Sequence, residues 1–425
     1  MLAIFLGTLL VSLAFGLPVA FSLILTGAIM MMKIGLFNTS VIAQQMLSGL
    51  NSFSLLAIPF FVLSGEAMNK GGISEAIVDA VLALFGHIRG ALGYVAIFSS
   101  IIFAGLSGSA IADTAALGGV LIPMMEKDGY EKGRSTGLVI CSAIIANIIP
   151  PSIGFILYGV ISGSSITNLF IGGLIPGVII GLALTVVWYF VAKKDHLVPH
   201  AQRLTKKEAA KKVSYSIPAL VLPIFIIFGL RLGVFTPTEA GSIAAVYALV
   251  VGLFVYKKIR FRDVPEILRN ATKTTAQCML IVAGALVVSW VIIACKLSAT
   301  IVDSFSFLVA HPKLFVLVCQ LIFLMFGMVM DLGPIVMIMV PVLLPLVKAA
   351  GIDVTYFGIL MIINLTFGLV TPPVGNVLYV GTGISGATIG DTIRGAAPFM
   401  IAEILLIILF TFIPSLILVP LGWLT

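Results

Sequence analysis

The chain has 425 residues, of which 60% are hydrophobic and 10% charged, with a mean hydropathy of +1.22. Soluble domains carry about 25% charged residues, so this composition excludes a soluble enzyme or binding module and implies an all-α, polytopic membrane protein. The net charge of +7 does not mark a nucleic-acid partner: Lys193 to Lys212 holds seven basic and two acidic residues, and Lys257 to Lys273 six and two.

The first apolar run, Leu2 to Met32, has no basic residue before it and is too long for one span of ~20 residues. It is read as membrane segment rather than signal peptide, broken by Gly16 and Pro18 into two short helices. Ile34 to Ser48 reads as an uncharged loop on the non-cytoplasmic side, and Asn51 to Met68 as a span containing Pro59. Ile73 to Arg89 carries Glu75, Asp79, His87 and Arg89 among apolar residues, the pattern of an amphipathic interfacial helix.

Ala91 to Glu126 is interrupted at Gly105 to Gly108, with Asp113 five residues beyond. This spacing predicts a re-entrant hairpin with its tip in the Gly-Ser stretch, because backbone that leaves a helix at membrane depth must be buried in protein or line a cavity. Arg134 to Ser162 crosses with a break at Pro150-Pro151, and Asn168 to Ala192 returns to the basic segment 193–212. Short basic loops lie on the cytoplasmic side, so this loop is assigned there and the N-terminus to the periplasm.

The pattern then restarts. Ser214 to Leu232, Gly241 to Tyr256 and Thr274 to Cys295 read as spans, followed by a polar interfacial stretch at Asp303 to Lys313. A second hairpin is predicted over Leu314 to Lys348, a second broken helix over Tyr356 to Thr382 with Pro372-Pro373 inside, and a closing span over Pro398 to Pro420. Pro123 and Pro345, Gly129 and Gly351, Pro150-Pro151 and Pro372-Pro373, Gly173 and Gly395, and Pro176 and Pro398 all repeat at an offset of 222 residues. If each half crosses an odd number of times the halves are inverted. Inverted repeats with discontinuous helices meeting near the midplane point to a secondary transporter and its binding site. The first repeat is assigned to 1–192 and the second to 213–425.

The site chemistry follows from the breaks. A helix ending at Asn147-Ile-Ile-Pro150 leaves its last carbonyls without intrahelical partners, at the negative end of its dipole. Such oxygens suit a small cation, with hydroxyls from Ser107 and Ser109, and in the second half from Thr366 and Thr371. Ser107, Asp113, Asp331 and Asn376 are the candidates for meeting substrate. Asp113 and Asp331, the acids deepest in the hairpins, are read chiefly as organisers of the tips, each able to cap the returning helix. Asn147 and Asn376 stand near the breaks, where satisfying freed backbone is their simplest use. The four cysteines and four histidines lack metal-ligand spacing and receive no role. Two convergent aspartates would also suit an intramembrane protease, but that reading leaves the duplicated Pro-Pro breaks unexplained. A channel or non-transporting scaffold subunit is the other rival, and saturable, Na+-dependent uptake would speak against it.

Gly105-Leu-Ser-Gly-Ser-Ala-Ile-Ala-Asp-Thr114, Asn147-Ile-Ile-Pro-Pro-Ser152, Thr236-Pro-Thr-Glu-Ala-Gly241 and Leu369-Val-Thr-Pro-Pro-Val-Gly-Asn376 together resemble the large membrane subunit of tripartite ATP-independent periplasmic (TRAP) transporters, over essentially the whole chain. Overall the chain looks closest to the sialic-acid branch, with C4-dicarboxylates or other carboxylates as the alternative. The resemblance implies Na+-coupled import of an organic acid across the bacterial inner membrane. It also implies a scaffold and an elevator-type transport domain, a small four-helix membrane subunit and a periplasmic substrate-binding protein. It places one Na+ between the tip at Ser107, Gly108 and Ser109 and the break at Ala146, Asn147, Ile149 and Pro151. A second Na+ would lie between the second hairpin at Gly327 and Thr366, Thr371 and Pro373. Proton coupling is the competing expectation; few carboxylates and many hydroxyls and free carbonyls favour Na+.

Overall fold

The computed structural model describes residues 1–200, 204–295 and 297–424, and among them the regular structure is helical. Among the described residues six helices are long and apolar enough to cross a membrane: Ile166–Lys194, Lys206–Arg231, Pro237–Val255, Phe261–Ala294, Leu332–Ala349 and Ile389–Phe412. Thr39–Leu50 and Phe53–Lys70 form one further apolar pair, bent by 63°.

The N-terminal run divides as its glycine and proline dictate, into Leu2–Ala14 and Val19–Lys33. The uncharged stretch read as a loop from Ile34 is instead largely the helix Thr39–Leu50, started by Asn38, whose side chain accepts from Ser40 N. Lacking charges or prolines, that stretch had no breaker inside it, and a capping Asn was the start signal. Ile73–Phe85 is amphipathic as predicted: Glu75 and Asp79 are exposed, while its apolar face is buried against Lys206–Arg231 and Ala91–Ser107. The basic segment 193–212 is shorter as a loop than its charge suggested, because Ile166–Lys194 runs into it and Thr205 with Glu208 forms a capping box that starts the next helix at Lys206. Its positions 201–203 lie outside the described residues. The span expected from Thr274 is the helix Val264–Ala294, thirty-one residues long, so Thr274 sits well inside it. The closing segment begins earlier than Pro398, as Ile389–Phe412, with Ser415–Leu424 after it.

Both hairpins form, as Ala91–Ser107 with Ala110–Lys127 and Pro312–Gly327 with Leu332–Ala349. In each pair both arms pack against the first half of the following broken helix, Lys132–Ala143 or Val354–Gly368. The second halves are Ile153–Ser162 and Asn376–Ser385, and both intervening Pro-Pro bonds are cis.

The two-fold relation of the repeats is visible in reciprocal contacts. A Cβ on Gly358 would fall 2.3 Å from a Tyr158 ring carbon, and at the equivalent place a Cβ on Gly381 would fall 3.2 Å from Thr136 Cγ2 and 2.4 Å from Ile140 Cγ2. Each broken helix thus crosses the other with its start against the partner's second half. Tyr158 Oη donates to Val354 O at 2.7 Å, and Arg134 donates to Gly395 O at 2.8 Å. Arg134 also pairs with Asp195 at 3.4 Å, and His200 contacts Asp128, so the open end of the first hairpin lies beside the basic loop.

The helices sort by packing into two groups. Hairpins and broken helices interlock: Ile389–Phe412 lies on Lys132–Ala143, Asn376–Ser385 on Ala110–Lys127, and Leu332–Ala349 on Ile153–Ser162. Outside them, Val264–Ala294 packs on Val19–Lys33, Thr39–Leu50 and Ala57–Lys70, and Pro237–Val250 packs on Ala57–Lys70.

Candidate functional site

The first tip is built by one backbone reversal. Gly108 ends Ala91–Ser107 with φ +63°, a conformation that costs other residues about 1–2 kcal/mol, and a Cβ there would stand 2.4 Å from Pro151 O. Ser109 caps the returning arm, its hydroxyl accepting from Ala112 N at 3.4 Å. Asp113 was a candidate for this cap; it sits one turn later. Its carboxylate accepts the Ser107 hydroxyl, and Ser107 Oγ accepts from Ser109 N at 3.3 Å. Asp113 is fully buried, and its Oδ2 has no hydrogen-bond partner among the described residues.

The first break is tied to this tip by side chains. Asn147 Oδ1 accepts from Ala110 N at 3.0 Å across the gap between hairpin and broken helix. Ser152 donates to Asn147 O at 2.5 Å and accepts from Phe155 N at 3.4 Å, capping Ile153–Ser162. Ala146, Ile149 and Pro151 are buried around it. Sequence reasoning placed Asn147 beside freed backbone, and the N–H it satisfies belongs to the hairpin.

The second tip uses backbone for the same purpose. Met328 O accepts from Val374 N and Gly375 N at 3.1 and 2.9 Å. Gly327 and Gly368 meet so closely that a Cβ on Gly368 would fall 2.6 Å from the Gly327 backbone. Asp331 caps Leu332–Ala349, its Oδ1 accepting from Leu332 N at 2.9 Å. At the 222-residue offset Asp331 corresponds to Ser109, so the two caps differ by a charge. The buried Thr366 and Thr371 donate to Ile362 O and Phe367 O at 2.6 and 2.9 Å, while Pro373 is exposed and Asn376 opens Asn376–Ser385.

A cavity of about 440 Å³ lies between the tips and Val264–Ala294. Ser109, Asn147 and Asp331 reach its wall; Ser107 and Asp113 lie behind the first tip, and Thr366 and Thr371 behind the second. The opposite wall carries Thr274, Gln277 and Cys278 with Ile281, and Pro18 to Phe21 close one side. None of these wall residues was a sequence candidate. The available signal was a stripe of Thr, Gln and Cys at i, i+3 and i+4, where the polar first part of the helix gives way to its apolar remainder.

Paired hairpin tips, each docked on the broken helix of its own repeat and sharing one cavity, define a secondary transporter of the membrane. Residues 6–416 match the family model described as the tripartite ATP-independent periplasmic transporter, DctM component. The chain is 48% identical over 420 residues to a TRAP transporter large permease protein of Haemophilus influenzae, covering 99% of each. It is 47% identical, over 99% of each chain, to the 2,3-diketo-L-gulonate TRAP transporter large permease protein YiaN of Escherichia coli. Identity to the sialic acid TRAP transporter large permease protein SiaM of Vibrio cholerae is 36%, over 94% of this chain and 93% of that one. The YdaH transporter of Alcanivorax borkumensis shares the fold, with a TM-score of 0.64 at 14% identity over 87% of each chain. The chain belongs to the TRAP transporter large permease family, whose members are transporter subunits and not enzymes.

Proposed function

We infer that this permease imports an organic acid by coupling to Na+, accepting the acid from a periplasmic binding protein and working with a small four-helix membrane subunit in the bacterial inner membrane. The observation that carries Na+ coupling is the buried Asp113 carboxylate, held by Ser107 directly behind the first tip with one oxygen unpartnered among the described residues. A buried anion of this kind needs a cation or a proton. Pro151 O lies against Gly108, and Ser109 follows Gly108 in the same tip, so the first tip and break supply hard oxygen donors of the kind Na+ takes. The second tip offers the carbonyls around Thr371 and the hydroxyls of Thr366 and Thr371 near Gly327. Na+ at either position would draw tip and break together and so shape the cavity wall. Asn376 remains a candidate for the polar part of the substrate.

The interlocked hairpins and broken helices would then move as one block against the outer helices, exposing the cavity on alternate sides by an elevator motion. The N-terminus would be periplasmic and the basic loop, with the first hairpin's open end beside it, cytoplasmic. Sialic acid was the expected substrate, but identity to the 2,3-diketo-L-gulonate relative is higher, 47% against 36%. A six-carbon oxo-sugar acid is therefore favoured over the nine-carbon N-acetylneuraminate. A proton on Asp113 is the competing coupling, because the same carboxylate would accept it.

The test is uptake into proteoliposomes holding this chain with its small subunit and a substrate-loaded binding protein, under an inward Na+ gradient or a proton gradient. Uptake should require Na+ and the binding protein. Ser107→Ala should lower it about tenfold or more, since hydrogen bonds to charged groups contribute roughly 1.5–3 kcal/mol. Equal uptake under protons alone would overturn Na+ coupling.

A further inference from the structure

The two hairpin tips meet the cavity with different electrostatics. Both Ser109 and Asp331 are caps of returning arms and both line the cavity, at equivalent positions of the repeat. Ser109 is neutral, and the acid of that first turn, Asp113, lies behind the tip and not on the cavity wall, so this tip presents no carboxylate to the cavity. Asp331 puts a carboxylate there instead, exposed and without an ion-pair partner among the described residues. Across from Asp331, Thr274 and Gln277 are exposed on the cavity wall of Val264–Ala294, offering a hydroxyl and an amide. Among the described residues no Lys or Arg lines this space.

We propose that Asp331 is a specificity-determining residue, and that the cavity selects acids with one carboxylate and several hydroxyl or oxo groups while rejecting dicarboxylates. The substrate carboxylate lies toward the Ser109 tip, and its hydroxyls donate to Asp331 and exchange hydrogen bonds with Thr274 and Gln277. A second carboxylate at that far end would meet Asp331 as a like charge. At about 6 Å and an effective dielectric of about 20 this repulsion corresponds to roughly a hundredfold in affinity. The inference rests on the cavity's being the substrate site, as in the proposed function, and adds the class of acid.

The binding protein also selects substrate, so the test bypasses it. Cys278 lines the same cavity, Cys141 and Cys319 are buried, and the partly exposed Cys295, which does not line it, is replaced by serine throughout. The purified chain with its small subunit, in detergent and saturating Na+, is labelled with a maleimide. Protection of Cys278 is titrated with D-gluconate and with succinate, and Cys278→Ser identifies the labelled site. D-Gluconate should half-protect at a concentration at least tenfold below succinate. Asp331→Ser, which copies the first tip's cap, should shrink that gap about tenfold or more, and Asp331→Asn serves if the serine variant does not fold. Equal protection in the unmodified protein, a gap unmoved by both substitutions, or no protection by either acid would overturn the proposal. Failure of Na+-driven uptake in proteoliposomes would instead remove the coupling reading and leave this result standing.

Discussion

Asn147 Oδ1 accepts the Ala110 backbone N–H at 3.0 Å, and Ser152 Oγ donates to the Asn147 carbonyl at 2.5 Å. One residue thereby joins the hairpin tip, the end of one half-helix and the start of the next. Asn147→Leu keeps the branching and heavy-atom count of the side chain but leaves the buried Ala110 N–H unpaired, at a cost of about 1–3 kcal/mol. Lower thermal stability in detergent and a raised Na+ requirement for uptake are the expected results; an unchanged Na+ titration would show that the bond does not position the tip.

Gly108→Ala is expected to be far worse than Gly129→Ala. Both residues have positive φ, at +63° and +81°, so each pays roughly 1–2 kcal/mol for a side chain in that region. Only at Gly108 does the added Cβ also meet a carbonyl, 2.4 Å away; at Gly129 nothing lies within 4 Å. Uptake should be lost in the first variant and nearly normal in the second, each measured against its amount in the membrane.

Gly368→Ala forces the second hairpin off its broken helix, because the atoms in its way belong to the Gly327 backbone and have no rotamer to escape into. The expected outcome is a correctly inserted protein with uptake reduced at least tenfold. Gly383→Ala, with open space around it, is the matched control and should transport normally.

Tyr158→Phe removes the hydroxyl that donates to Val354 O at 2.7 Å but keeps the ring packed on Gly358. A loss near 1 kcal/mol follows from the ordinary net value of a hydrogen bond. Thermal unfolding should detect it while the Na+ dependence of uptake stays put, since the bond ends on Val354 at the start of the second broken helix and involves no residue of either tip.

Lys258→Ala should be close to neutral. Its 2.9 Å pair with Glu75 is exposed on both sides, and exposed pairs contribute about 0–1 kcal/mol. A large loss of stability would mean that this contact anchors Ile73–Phe85 to the outer helices in a way its exposure does not suggest.

Much of this architecture was legible because membranes leave few choices. Apolar runs must be helices, and glycine or proline breaks must be housed in protein. Pro150-Pro151 and Pro372-Pro373, with the series of matches at 222 residues, therefore located both broken helices and both hairpins. What failed were boundaries set by polar capping within weak patterns. Thr39–Leu50 begins at Asn38 inside an uncharged stretch, and Lys206–Arg231 begins inside a charge run because Thr205 and Glu208 close a capping box.

By itself the sequence determined the class of fold, its duplication and the two stretches where each tip meets a break, since periodicity, composition and helix-breaking residues act locally along the chain. Only the tertiary structure decided how these stretches combine. It placed Asp113 behind the tip and Asp331 on the cavity wall, although both are acids in a hairpin. It also brought Thr274, Gln277 and Cys278, more than a hundred residues from Asn147, to the opposite side of the same space. Which face of a helix looks into a cavity depends on the packing of all the others, and that information is not carried by any one segment.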